Sequence, residues 1–225
     1  MKTILCFGDT NTWGVNPVDE SRLQFDKRWT GILTRELEPE IRVIEEGQCG
    51  RTTVCDDPVD LHKNGMDYLL PCLDGHRPLD LVVIMLGTVQ LKGRFHQSAE
   101  DIALGIERIV QAVLSSGAGV GGKSPKILLI SPIRIGRVEE GPLAMTFFMN
   151  NNRERQQRFK ELYGDLARRY GIGFLSAEDY AETSELDGIH IAEESHYPFA
   201  MAVAEKVREM LGQKSLEIRE KRVCG

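Results

Sequence analysis

The sequence predicts an α/β protein built on a parallel sheet with helices on both faces. Two observations lead there. Short apolar runs, at residues 3–7, 41–45, 79–86, 126–131 and 172–175, alternate with amphipathic segments along the chain. Strands that alternate with helical patterns build parallel sheets. The third and fourth runs, Leu81-Val82-Val83-Ile84-Met85-Leu86 and Ile127-Leu128-Leu129-Ile130, are apolar without a break, as expected of strands covered on both faces. A length of 225 residues with 41% hydrophobic content supports one full-sized core. No linker-like stretch divides it, so one domain is expected over residues 1–212, followed by a charged tail at 213–225.

The elements follow in order. The strand at residues 3–7 ends at Gly8. Trp29, Ile32, Leu33 and Leu37 recur at helical spacing before the second strand. Ser98-Ala99-Glu100-Asp101 has the form of an N-terminal cap, with Ile102, Ile106, Ile109, Val110 and Val113 on one face behind it. Ala118-Gly119-Val120-Gly121-Gly122 precedes the fourth strand, but it lacks the G-x-G-x-x-G pattern and follows a helix, so it is not a phosphate loop. Residues 152–170 are expected as one helix with Phe159, Leu162, Tyr163 and Leu166 inward, and residues 193–211 as the last, with Ala200, Val203, Ala204, Val207 and Leu211 inward. The connection at 134–151 is long and carries Leu143, Met145, Phe147 and Phe148, an apolar cluster of the kind that marks an interface or a substrate rim.

Composition removes several function classes. Net charge is −6 and lysines and arginines form no cluster, which argues against a nucleic-acid partner. The five cysteines are odd in number and include no C-x-x-C pair, which favours a reducing compartment over a disulfide framework. Met1-Lys2 leads straight into a strand, without an apolar leader or a small-residue cleavage site. No apolar run approaches the roughly 20 residues of a membrane span. The expectation is a soluble cytoplasmic protein.

Two segments carry chemistry. Gly8-Asp9-Thr10 places a hydroxyl on the first turn after the first strand, where open α/β sheets bind ligands. Asp187-Gly188-Ile189-His190 places an acid and an imidazole three positions apart before the last helix. Hydroxyl, histidine and carboxylate are the parts of a nucleophilic triad. Each has a plainer reading: Asp9 or Thr10 as a helix cap, His190 as an ordinary buried or surface histidine, Asp187 as a turn residue. His196 with Glu193 and Glu194 reads as a capped, solvated helix start rather than a metal site, and no zinc-ligand spacing occurs. Cys49 reads only weakly as a nucleophile, because a reactive thiol needs a nearby base. Trp13 and Phe199 read equally as pocket lining and as core.

Together these segments resemble the SGNH, or GDSL, hydrolases, and within them the arylesterase and acyltransferase subgroup. Ile4-Leu5-Cys6-Phe7-Gly8-Asp9 with Thr12-Trp13-Gly14 is similar to the first block of that family. Glu45-Glu46-Gly47 with Gly50-Arg51-Thr52-Thr53 is similar to the second, Leu86-Gly87-Thr88 to the third, and Asp187-Gly188-Ile189-His190 to the fifth. Arg28-Trp29-Thr30-Gly31, the Asp57-Pro58 turn and Leu104-Gly105 add to the likeness. The resemblance implies a three-layer α/β/α sandwich, flavodoxin-like, around about five parallel strands. It implies hydrolysis of small carboxylic esters, or acyl transfer, through an acyl-enzyme, with no cofactor and no metal. By the same resemblance Thr10 is the nucleophile, His190 the base and Asp187 its orienting partner, and the oxyanion hole draws on Thr10, Gly47 and position 89.

Three positions depart from the pattern. The family's nucleophilic serine is Thr10, which keeps the hydroxyl but adds a methyl that restricts χ1. The family's oxyanion asparagine is Val89, which has no donor. The following position, aspartate in the family, is Gln90, expected to point away if the segment is extended, since neighbouring strand residues face opposite sides. Three readings stay open: an attenuated esterase, a ligand-binding protein that keeps the pocket, or a deliberately altered variant. The partner expected is a small ester, with neither nucleic acid nor membrane, and the 134–151 loop suggests a homo-oligomer.

Overall fold

The computed structural model describes residues 1–136, 147 and 152–213. Five strands form one sheet: β1 (Lys2–Gly8), β2 (Ile41–Gly47), β3 (Leu81–Met85), β4 (Lys126–Ser131) and β5 (Gly173–Ser176). Their order is β2-β1-β3-β4-β5, and every pairing is parallel. The class and layering expected from the sequence are therefore present. The strand bounds fall within about two residues of the expected ones, the usual uncertainty of element ends.

The period of two along each strand divides the core. Leu5, Phe7, Val82 and Ile84 face one layer of helices, α3 (Gly65–His76), α4 (Ala99–Ser115) and α6 (Phe159–Tyr170). Ile4, Cys6, Leu81 and Val83 face the other, α2 (Trp29–Leu37) and α7 (His196–Met210). Two short helices complete the set: α1 (Thr10–Trp13) directly after β1, and α5 (Asn152–Gln157). The helix expected over 152–170 is broken at Arg158, and the segment expected from 193 opens with a 3₁₀ turn, Glu193–Ser195, before α7. Ser98 makes the expected cap, accepting the Asp101 N–H at 3.0 Å while the Asp101 carboxylate accepts the Ser98 N–H at 3.1 Å.

Among the described residues no helix is long and apolar enough to cross a membrane. The tail expected from residue 213 lies, beyond that first residue, outside the described residues.

Candidate active site

The site forms at the C-terminal edge of the sheet, where β1 and β3 lie side by side and the chain leaves them in opposite directions. That switch point is where open α/β sheets hold ligands. β1 ends at Gly8, paired with Gly47 on β2 and Met85 on β3. Asp9 then caps α1, its Oδ1 accepting the Asn11 N–H at 3.1 Å, so Thr10 is the first helical residue, where backbone N–H groups lack intrahelical partners. The turn packs so tightly that two of its neighbours must be glycine. A Cβ on Gly8 would fall 2.0 Å from Thr12 Oγ1, and one on Gly47 would fall 2.2 Å from the Trp13 nitrogen. Arg51, almost fully buried, donates from Nη1 to the Gly8 carbonyl at 2.9 Å and to the Glu46 carbonyl, tying the ends of β1 and β2 together.

The second half of the site is the loop before α7. Asp187 Oδ1 accepts the N–H groups of Ile189 at 2.8 Å and His190 at 2.9 Å, which closes the loop on itself. Asp187 Oδ2 lies 2.6 Å from His190 Nδ1. Burial works to raise the Asp187 carboxyl, but the His190 contact and the backbone N–H groups outweigh it and hold it below the usual carboxylate range. With Nδ1 committed to Asp187, the other ring nitrogen of His190 is the one available to a substrate.

Asn11 joins the two halves. Its Oδ1 accepts the Ile191 N–H at 2.9 Å, and its Nδ2 reaches the Ile189 carbonyl at 3.4 Å. Its own carbonyl accepts the Trp29 indole N–H at 2.8 Å, anchoring the turn to α2. The sequence reading gave Asn11 no role. The available signal was an amide inside a turn wedged between the first strand and the glycine of the second.

Thr10, Thr88, Val89, Ile189 and His190 line one cavity of about 350 Å³. The Thr10 hydroxyl makes no hydrogen bond to a described residue, and it stands in the same cavity wall as the His190 imidazole. A hydroxyl, an imidazole and a carboxylate held on that imidazole can together move a proton off an attacking oxygen. Beneath them Asp9 is fully buried, and burial, ahead of all opposing contacts, pushes its carboxyl up to about 6. A larger cavity of about 720 Å³ lies alongside, walled by Glu46, Arg51 and Asp57, and Lys63 borders both.

The structure bears on several sequence expectations. Residues 89–91 form a 3₁₀ turn rather than extended chain. Gln90 does turn away from the cavity, because its Nε2 donates to Thr53 Oγ1 at 2.6 Å in a fully buried contact. Phe147, read as part of a cluster at an interface or a substrate rim, is buried and lines the cavity, as the rim alternative has it; Leu143, Met145 and Phe148 lie outside the described residues. Phe199 is core, edge-on to Trp29 at 5.1 Å. Cys49 does line the cavity, but burial and then the Asp9 charge raise its thiol, which opposes thiolate formation. His196 is buried rather than solvated. Its Nδ1 accepts the Trp29 N–H at 3.1 Å, and burial pushes it down to about 4. Glu193 pairs with Lys27 at 2.7 Å, so the group at 193–196 does not assemble as a metal site. Among the described residues Glu46, Cys72 and His76 bring ligand-type atoms within 4.8 Å of one another. Glu46 is already engaged by His76 at 2.9 Å and by the Tyr68 hydroxyl at 3.1 Å.

Comparison with solved structures places the chain beside an aryl esterase from M. smegmatis. The two share 39% identity and a TM-score of 0.88, over 93% of this chain and 100% of that one. A carbohydrate acetylesterase from Sinorhizobium meliloti matches at 36% identity and a TM-score of 0.88, over 93% of this chain and 100% of its own. A comparison with curated proteins returns no match. The profile of the GDSL-like lipase/acylhydrolase family matches residues 6–196, which takes in the Thr10 turn, the Val89 turn and the Asp187–His190 loop. On that span and those relatives, the chain belongs to the GDSL-like lipase/acylhydrolase family.

Proposed function

We propose that this chain hydrolyses small carboxylic esters by way of an acyl-enzyme, at a rate reduced by two of its own residues. The observation that carries the reading is the Asp187–His190 contact at 2.6 Å in the wall of the cavity that also holds the Thr10 hydroxyl. His190 takes the Thr10 proton as the oxygen attacks the ester carbonyl, forming the tetrahedral intermediate. Its collapse expels the alcohol, which takes that proton from the imidazolium, and water repeats the sequence to release the acid. Asp187 fixes the tautomer and stabilises the imidazolium. The backbone N–H groups of Thr10 and Gly47 receive the oxyanion. An alcohol in place of water turns the second half into acyl transfer.

The same two residues support a second reading from another class. Thr10 crowds the tetrahedral centre, and Val89 supplies no donor to it. With Gln90 held at Thr53, no neighbouring amide replaces the missing one. A ligand-binding protein that keeps the fold and the cavity fits those departures. Turnover of 4-nitrophenyl acetate by the wild type, set against His190→Ala, decides between the readings. Turnover lost in the variant supports the hydrolase. Equal release by both proteins removes it in favour of the binding protein.

A further inference from the structure

The cavity that holds Thr10 and His190 carries positive charge that the proposed ester chemistry leaves unused. Lys63 and Lys92 both line it, in a chain whose net charge is −6. Among the described residues neither ammonium has a carboxylate at hydrogen-bond distance. Lys92 Nζ stands 3.8 Å from Asp60 Oδ2, beyond hydrogen-bond distance, although its side chain is only 12% exposed. That same carboxylate oxygen is engaged by Arg94 at 2.9 Å, and the Arg94 guanidinium also binds Asp57. The Lys63 carbonyl accepts the Thr52 N–H at 2.8 Å, but its ammonium makes no hydrogen bond or ion pair with a described residue. Glu20, at the exposed rim, is the other acid in the lining besides Asp60.

Burial first, then the Arg94 charge, lowers Lys92 below its ordinary range; Asp57 and Asp60 pull the other way, and Lys63 adds a smaller lowering. The Lys63 charge reaches inward as far as Cys49 in the same cavity wall. Like charges gathered on a small cavity oppose each other until an anion lies between them.

We infer that Lys63 and Lys92 form a carboxylate-recognising subsite, and that the esters this chain acts on carry a carboxylate as well as the ester group. A single negative charge suits the site better than a phosphate dianion. Asp60 and the rim residue Glu20 balance the two lysines in formal charge, so the lysines offer unfilled donors rather than an excess of charge to match a dianion. Lysine binds as a point charge and does not require the planar bidentate geometry of arginine. The apolar wall around Val89 and Ile189 takes the body of the substrate, and a cavity of about 350 Å³ limits it to a small molecule. The inference rests on the hydrolase reading for the bond that is cleaved, but not for the charge that is bound.

Steady-state hydrolysis of two matched pairs tests it. 4-Acetoxybenzoate against 4-acetoxybenzamide places the charge on the alcohol side. Monophenyl adipate against methyl phenyl adipate places it on the acyl side. The wild type is expected to favour the anionic member of one pair in kcat/KM by roughly tenfold, the size of one charge-assisted contact. The favoured pair tells which side of the ester carries the charge. Lys63→Gln and Lys92→Gln should each lower the anionic-to-neutral ratio, and the double variant should bring it near one. A wild-type ratio near one in both pairs, or a ratio that the variants leave unaltered, overturns the subsite while leaving the hydrolase reading in place. If the chain cleaves no ester, the hydrolase reading fails and calorimetry with adipate and with benzoate judges the subsite alone. Carboxylate binding that disappears in the double variant supports it, and absence of binding by the wild type overturns it. Should the double variant not fold, Lys63→Gln, at a half-buried and unpaired position, carries both measurements.

Discussion

Asn11 Oδ1 accepts the backbone N–H of Ile191 at 2.9 Å, so one buried side chain holds the turn that carries Thr10 against the loop that carries His190. Asn11→Ala leaves that N–H, and the Ile189 carbonyl, without a protein partner. An orphaned buried group costs roughly 1–3 kcal/mol. We expect a lower urea midpoint and, on the proposed reading, a fall in kcat that exceeds any change in KM, because His190 moves relative to Thr10. A folded variant with unaltered kcat would show that the two segments keep their register without this bond.

Asp187→Asn keeps an oxygen for the N–H groups of Ile189 and His190 but removes the charge facing His190 Nδ1. The loop should hold its shape while the imidazole loses its preferred tautomer. A drop in kcat on the order of 10³–10⁴-fold is expected, with KM little changed and thermal stability close to the parent. Loss of stability without loss of kcat would reduce Asp187 to a turn residue.

The framework was more legible in the sequence than the contacts that aim it. β3 and β4 were plain because Leu81–Met85 and most of Lys126–Ser131 are buried on both faces, which leaves an uninterrupted apolar run. α3 was not singled out, since Pro71 and Gly75 fall inside it and its apolar stripe is weak; Asn64 caps it, but only the packing of Leu69, Cys72 and Leu73 establishes the helix. Thr10, Asp187 and His190 were legible as chemical types at suggestive places. That Thr10 and His190 line one cavity depends on Asn11 holding the turn after β1 to the loop before α7, a contact that no local pattern encodes. Gln90 turned away for a reason the sequence could not supply, a partner at Thr53 some way back along the chain. His196 was misread as solvated because a helix start usually is, whereas here it packs under α2.

Two buried groups should oppose each other in the pH dependence of stability. The Asp9 carboxyl rises from 3.8 to about 6 in the folded chain, chiefly through burial. Folding therefore holds its proton, and that contribution is complete below about pH 4 and is lost as pH rises through about 6. The His196 imidazole falls from 6.5 to about 4, again through burial. Its contribution is complete above about pH 6.5 and is lost as pH falls through about 4. Across that shared window the two slopes have opposite signs. Asp9→Asn should thus lose stability on acidification more steeply than the wild type, by on the order of 1–3 kcal/mol. His196→Gln, which can still accept the Trp29 N–H, should gain relative to the wild type over the same range. Urea unfolding at three pH values within the window checks both signs, and variants that run parallel to the wild type would rule out both assignments.

On the proposed reading Thr10 and Val89 slow the reaction by two separable routes, and reversing them is the most direct test of the chemistry. Both line the cavity with His190, and Val89 sits on the 3₁₀ turn that follows β3. Thr10→Ser removes a methyl from the attacking centre and keeps the hydroxyl, so its effect should fall on kcat. Val89→Asn places a donor where the oxyanion forms. One such donor changes rates by about 10²–10³-fold, or roughly 2.7–4 kcal/mol in the transition state. The adjacent amide of Gln90 cannot have been filling that role already, because it is committed to Thr53. Neither substitution alters the cavity wall at Lys63, Lys92 or Phe147, so KM should move less than kcat. The two should also cooperate, since an oxyanion donor helps only as far as the nucleophile reaches the tetrahedral state. Steady-state hydrolysis of a short-chain aryl ester by the parent, both single variants and the double variant measures each contribution and their coupling. A double variant that is folded but no faster than the parent would remove the attenuated-hydrolase reading and leave the ligand-binding one.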